Sequence, residues 1–178
     1  MDPFAILGIK RSFELDLDAV EKRHRELSRA LHPDRYADAG ASERRLTLAK
    51  AIEVNEAWRV VRDPIRRAEA LFALAGIQVG EQNEPKPSAA LLMEAMDRRE
   101  ALAEAREKRD LAAIDHLAGE VDARRRAIEE KLAGGFARGG KVDGLLPLLG
   151  ELRFHRRLLD EVSAIEDALA EAAVSAQA

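Results

Sequence analysis

Apolar residues along this chain recur every three or four positions, the spacing that lines one face of an α-helix, and do not alternate as they would along a half-buried strand. Asp2-Pro3 opens a short helix, Phe4-Ala5-Ile6-Leu7, which Gly8 stops. Asp16 is placed to cap a helix running to Leu31, with Val20, Leu27 and Leu31 on one face and His24 among them. His32 precedes a proline, whose ring disfavours helical backbone in the residue before it, so the helix should end there. Ser42 opens the next helix, whose stripe of Leu48, Ala51, Val54, Ala57, Trp58 and Val61 can pack antiparallel against the first, leaving 32–41 as the hairpin tip. Asp63-Pro64 joins an N-cap to a proline at the first helical position and starts a short helix through Leu71, Phe72 and Leu74 that Gly76 ends.

Residues 77–88 hold two prolines and a glycine with little periodicity and read as a linker. Three long helical segments are predicted beyond it, roughly 88–107, 109–132 and 143–173. The second carries Leu111, Ile114, Leu117, Val121, Ile128 and Leu132 on one face, and the third Leu148, Leu152, Leu158, Leu159, Val162, Ile165 and Leu169. Gly134-Gly135 and Gly139-Gly140 mark the turn between them. The expectation is an all-α chain with three parts: an N-terminal domain over 1–76 (a helical hairpin plus two short helices), a linker over 77–88, and an antiparallel three-helix bundle over 89–178.

Composition agrees, since apolar residues reach 47% of the 178 while aromatics are only 4%. The absence of cysteine excludes disulfides, thiolate metal sites and a cysteine nucleophile. No run of 18 apolar residues occurs and the chain begins Met1-Asp2-Pro3-Phe4 without a recognisable leader, so a cytoplasmic protein with no membrane partner is expected. The net charge of −4 is uneven: residues 1–76 carry 14 Lys/Arg against 13 Asp/Glu, and residues 77–178 carry 15 against 20.

The candidate chemistry lies at the hairpin tip. In His32-Pro33-Asp34 the proline fixes φ and removes a donor, while imidazole and carboxylate face solvent. Lys22, Arg25 and Arg29 share one face of the preceding helix, with Arg23 nearby and Arg35 just beyond the triplet; five positive residues meet two negative ones in 22–35. An acidic protein surface would complement them. Enzymatic readings are weak, because His24, His116 and His155 lie on other helices without ligand spacing. The stretch 134–140 is no phosphate loop, since it lacks the Lys-Ser/Thr ending. No cofactor is expected. Nucleic-acid binding by a helical module stays open as an alternative, against which stand the overall acidity and the single Tyr.

Several stretches together resemble a J-domain, the module by which co-chaperones engage DnaK-class chaperones: 21–28 (Glu-Lys-Arg-His-Arg-Glu-Leu-Ser), Leu31-His32-Pro33-Asp34-Arg35, Val54-Asn55-Glu56-Ala57-Trp58, and Asp63-Pro64 with Arg67. The resemblance implies that His32, Pro33 and Asp34 are the indispensable chaperone contacts and that Lys22, Arg23, Arg25, Arg29 and Arg35 are the electrostatic ones. His24 departs from the usual Tyr, which implies an altered contact between the two helices.

The whole chain resembles the HscB family of iron–sulfur cluster biogenesis, through its Met-Asp-x-Phe start, Trp58, the proline-bearing linker, 91–100 (Leu-Leu-Met-Glu-Ala-Met-Asp-Arg-Arg-Glu) and Glu151-Leu152-Arg153-Phe154. That resemblance implies a non-enzymatic co-chaperone that stimulates the ATPase of a DnaK/HscA-type chaperone and delivers an IscU-like scaffold held on an apolar patch. On helical arithmetic Leu91, Ala95, Leu102 and Ala105 form the core arc, while Leu92, Met93 and Met96 fall on another. With Phe154 those three are the expected scaffold-binding residues. A J-domain protein with a different client is the alternative.

Overall fold

Asp2 begins the first element as its sequence implies: its carboxylate accepts the N–H groups of Phe4 and Ala5 at 3.1 and 3.2 Å, and Pro3 occupies the first helical position. In this computed structural model, which describes residues 1–36, 38–79 and 87–175, all the regular elements are helical. Helix α1 (Pro3–Leu7) stops at Gly8, whose φ of 67° is a left-handed conformation that only glycine adopts cheaply. Asp16 caps α2 (Leu17–Ala30) through the Ala19 N–H at 3.0 Å. Helix α3 (Ala41–Arg62) returns alongside, and Asp63 caps α4 (Pro64–Leu74) by accepting from Ile65 and Arg66 at 2.9 and 3.1 Å.

Phe4, Leu7, Val20, Val54, Ala57 and Val61 make the buried core of this N-terminal unit, with Leu27, Leu31, Trp58 and Leu71 packed against it. One member of the expected stripe is absent. Leu48 points outward and Thr47 is buried in its stead, because positions 47, 54 and 61 repeat every seven residues along one line of the helix, while Leu48 lies about 100° away from it. A short 3-10 turn over Pro33–Tyr36, which no periodicity announced, forms the hairpin tip.

The chain divides into two compact units, Met1–Gly80 with Ala133–Val142, and Glu81–Leu132 with Asp143–Ala178. The stretch 89–178 is therefore not one undivided bundle: ten of its residues belong to the N-terminal unit. Within that unit Phe136 places its ring 6.0 Å from Phe13 and 5.1 Å from Phe72, and the Arg67 guanidinium lies over Phe13 at 4.9 Å. This explains why Gly134-Gly135 does not turn the chain as expected. Helix α6 (Leu111–Arg138) runs through both glycines and carries Phe136 into the ring cluster, so tertiary packing overrides a glycine penalty of about 1 kcal/mol each. The turn comes at Gly139 and Gly140, with φ of 67° and 82°. Of the expected linker, residues 80–86 lie outside the described residues.

In the other unit Ser88 caps α5 (Ala89–Glu107) through the Leu91 N–H at 3.1 Å, and a 3-10 turn (Asp143–Leu145) leads into α7 (Leu146–Ser175). Leu102 and Ala105 of α5, Ile114 and Val121 of α6, and Leu158 and Val162 of α7 form one buried cluster, the core of a three-helix bundle. Leu111, expected in that stripe, is exposed at the first position of α6. Arg99 of α5 pairs with Glu161 of α7 at 2.7 Å, and Arg124 of α6 with Glu94 of α5 at 2.9 Å.

Candidate docking surfaces

The hairpin tip is braced by groups other than the ones it displays. The Arg35 N–H donates to the His32 carbonyl at 3.1 Å, the Ala39 N–H to that of Tyr36 at 3.1 Å, and the Tyr36 hydroxyl to the Ala30 carbonyl at the end of α2 at 3.3 Å. His32, Pro33, Asp34 and Arg35 are all exposed. The His32 imidazole turns toward Asp34, Nδ1 lying 3.4 Å from both the Asp34 N–H and its Oδ2; in the neutral ring Nδ1 accepts from the backbone, and when protonated it donates to the carboxylate. Such long, exposed contacts hold little. The triplet therefore offers a rigid φ at Pro33 between two polar groups largely free to meet another surface.

Lys22, Arg25 and Arg29 are exposed on α2, as the spacing requires. Arg25 shares Glu21 at 3.3 Å, whereas Lys22, Arg29 and Arg35 have no ion-pair partner among the described residues. Arg23 differs from the rest. Its Nε donates to the Leu7 carbonyl at 3.3 Å, satisfying an orphan acceptor at the end of α1, and its guanidinium passes Gly8, where an added Cβ would stand 3.6 Å from it. It ties α2 to α1 besides adding charge.

His24 lies between α2 and α3. Its ring stacks on Trp58 with centroids 5.4 Å apart and 14° between planes, Nε2 is 3.0 Å from Asn55 Oδ1, and Ser28 Oγ is 3.3 Å from the same nitrogen. An aromatic-sized ring is retained at this position, with a polar bridge added across the hairpin. The sequence gives no sign of Asn55 as a partner, because its significance depends on what α2 places opposite it.

In the C-terminal unit Leu92, Met93 and Met96 are 51%, 66% and 71% exposed, while Ala95, Leu102 and Ala105 of the same helix are buried. At about 100° per residue the three exposed side chains span roughly a quarter-turn on the outer side of α5. Phe154 of α7 is different: it is half-buried and packed against the core cluster. The structure thus brings together Leu92, Met93 and Met96 and leaves Phe154 a core-margin residue.

Behind that arc lies a polar cluster that the apolar pattern concealed. Glu94 meets Arg98 at 3.1 Å and Arg124 at 2.9 Å, and His155 of α7, only 3% exposed, has no hydrogen-bond partner for Nδ1 among the described residues. Burial, the largest influence, pushes the His155 imidazole below its ordinary range; Glu94 opposes this, and Arg98 and Arg124 reinforce it. The unfolded chain, titrating near 6.5, then takes up a proton before the folded one as pH falls. The contribution is complete above that pH and is lost as pH drops toward the folded value. Denaturant midpoints measured at pH 7 and 5 should therefore fall further for the parent than for His155→Leu; equal falls would show that His155 carries no such linkage.

Comparisons with known proteins cover both units. A family model described as the DnaJ domain matches residues 2–70, and one described as the HSCB C-terminal oligomerisation domain matches residues 87–163. The chain is 34% identical to a co-chaperone protein HscB homolog of Shewanella sp. (strain ANA-3), over 95% of its own length and 99% of the relative's. It is 33% identical to the homolog of Burkholderia multivorans, over 90% and 91%. Chaperone HscB from Vibrio cholerae superposes with a TM-score of 0.83 at 30% identity, covering 95% of this chain and 99% of that one. The human co-chaperone protein HscB gives a TM-score of 0.84 at 23% identity, covering 93% and 82%, a likeness of fold alone.

Proposed function

This chain belongs to the HscB family of J-domain co-chaperones, and from that premise we propose that its N-terminal unit docks on a DnaK/HscA-type chaperone and stimulates its ATP hydrolysis, while the outer arc of α5 holds an IscU-like iron–sulfur scaffold. The observation that carries the reading is the hairpin tip. His32 and Asp34 are exposed there, are not needed by the contacts that brace the turn, and adjoin a helix whose Lys22 and Arg29 have no ion-pair partner among the described residues. Beyond the long 3.4 Å contact between them, these polar groups have little internal bonding to give up before meeting a partner. The apolar arc supports the second half: three adjacent exposed side chains, two of them Met, suit an adaptable contact.

In this scheme the nucleotide and the cluster belong to the partners, and the chain acts by bringing them together. The test has two readouts. ATP turnover by a DnaK/HscA-type chaperone should rise on addition of the chain, and the immobilised chain should retain an IscU-like scaffold. If turnover is unaffected, the chaperone half of the proposal fails; if the scaffold passes through while turnover rises, a different client is indicated.

A further inference from the structure

Leu48 and Ile52 stand one turn apart on α3, 56% and 60% exposed, although an apolar pair here adds nothing to the core. Isolated exposed apolar residues are ordinary on protein surfaces, so their placement decides whether they mean anything. Asn55 follows Ile52 by three and Leu48 by seven, and thus lies on the same side of α3. Its side chain meets His24 of α2 at 3.0 Å. The pair consequently borders the α2/α3 junction on the side where α2 turns to Arg25 and Arg29. Arg44 and Arg45 precede Leu48 by one turn, and Arg59 follows Ile52 by seven.

We propose that Leu48 and Ile52 are an apolar anchor of the chaperone-docking face, so that the face runs from the basic side of α2 across the His24/Asn55 bridge onto α3. The inference rests on the reading of the N-terminal unit as a chaperone-docking module and specifies the partner further. The chaperone surface that meets it is acidic around an apolar recess that receives the two side chains. Charge complementarity singles out this occupant: Arg25 and Arg59 pair with Glu21 and Glu56 at 3.3 and 3.5 Å, but Arg29, Arg44 and Arg45 have no ion-pair partner among the described residues, and this surplus of positive charge beside the pair is one that a second copy of the same face would repel. The two parts of such a surface do different work. Exposed charges speed encounter and are screened by salt, whereas desolvated apolar contacts govern how long the complex lasts.

The experiment measures association and dissociation rates of the full chain with an ATP-loaded DnaK/HscA-type chaperone at two salt concentrations. Leu48→Gln/Ile52→Gln keeps good helix formers in α3, and its melting curve should match the parent's because both positions are exposed. It should dissociate roughly tenfold faster, with association rate and salt dependence unchanged. Arg29→Glu should instead slow association and flatten the salt dependence. Leu46→Gln is the control, since Leu46 is also 60% exposed but projects more than about 100° around α3 from Ile52; it should behave as the parent does. Parental dissociation in the double variant, or equal acceleration in Leu46→Gln, overturns the proposal. So does a change confined to self-association in sedimentation. A parent chain that fails to bind the chaperone at all refutes the functional reading itself, an outcome distinct from these.

Discussion

His32→Gln and Asp34→Asn should each abolish stimulation of the chaperone's ATP hydrolysis while the chain melts as before. Both side chains are exposed, and the turn they occupy is closed by the Tyr36 hydroxyl on the Ala30 carbonyl and the Arg35 N–H on the His32 carbonyl, bonds that neither substitution touches. The interaction that either substitution weakens, between His32 Nδ1 and Asp34, is 3.4 Å long and open to water. Stability should therefore change by no more than about 0.5 kcal/mol. The effect on function should be at least about tenfold, since each substitution nearly keeps the volume of the side chain but alters the charge or the hydrogen-bonding pattern it presents to a partner. Turnover assays beside thermal melts check it. Full stimulation by either variant would remove the tip from the mechanism, and a lowered melting temperature would mean the triplet is structural.

The parts of this molecule that could be read from its sequence are those set by local chemistry. Asp2, Asp16 and Asp63 each cap the helix expected of them, because an N-cap needs only its own side chain and the next few N–H groups. The exposed basic face of α2 and the outer arc of α5 followed from the helical period. What escaped depends on residues far apart in the chain. Gly134-Gly135 looks like a turn until Phe136 is seen between Phe13 and Phe72; Leu48 looks like core until Thr47 is found on the buried line. Helical periodicity likewise counts His155 and Glu94 as polar interruptions, and only the packing of three helices shows that Glu94 pairs with Arg98 and Arg124 and that His155 is buried within reach of their charges. The same limit applies to Phe154, which stands at the edge of its stripe and proves to be partly core.

That last distinction predicts opposite outcomes for two sets of substitutions in the C-terminal unit. Leu92, Met93 and Met96 contribute little to folding because they remain 51%, 66% and 71% exposed in the folded chain. Changing all three to Ser removes an apolar surface from water rather than from the core, so stability should stay within about 1 kcal/mol of the parent, the difference being loss of helix propensity. If the arc is the scaffold anchor, binding should nevertheless disappear, since a few apolar contacts usually carry most of an interface's energy. Phe154→Ser should do the reverse. Its ring packs against the cluster formed by Leu102, Ile114, Leu158 and their neighbours, and its removal leaves a partly filled space. The cost should be on the order of 2 kcal/mol, below the roughly 3–5 of a fully buried Phe because this ring keeps some exposure. Scaffold binding by Phe154→Ser should weaken in proportion to the unfolded fraction and recover on cooling toward the temperature of maximum stability. Denaturant titration and scaffold capture on the same samples separate the cases: a triple variant that melts normally and still captures scaffold refutes the arc as the anchor, and a Phe154→Ser chain that stays fully folded yet binds nothing would make that ring a direct contact instead.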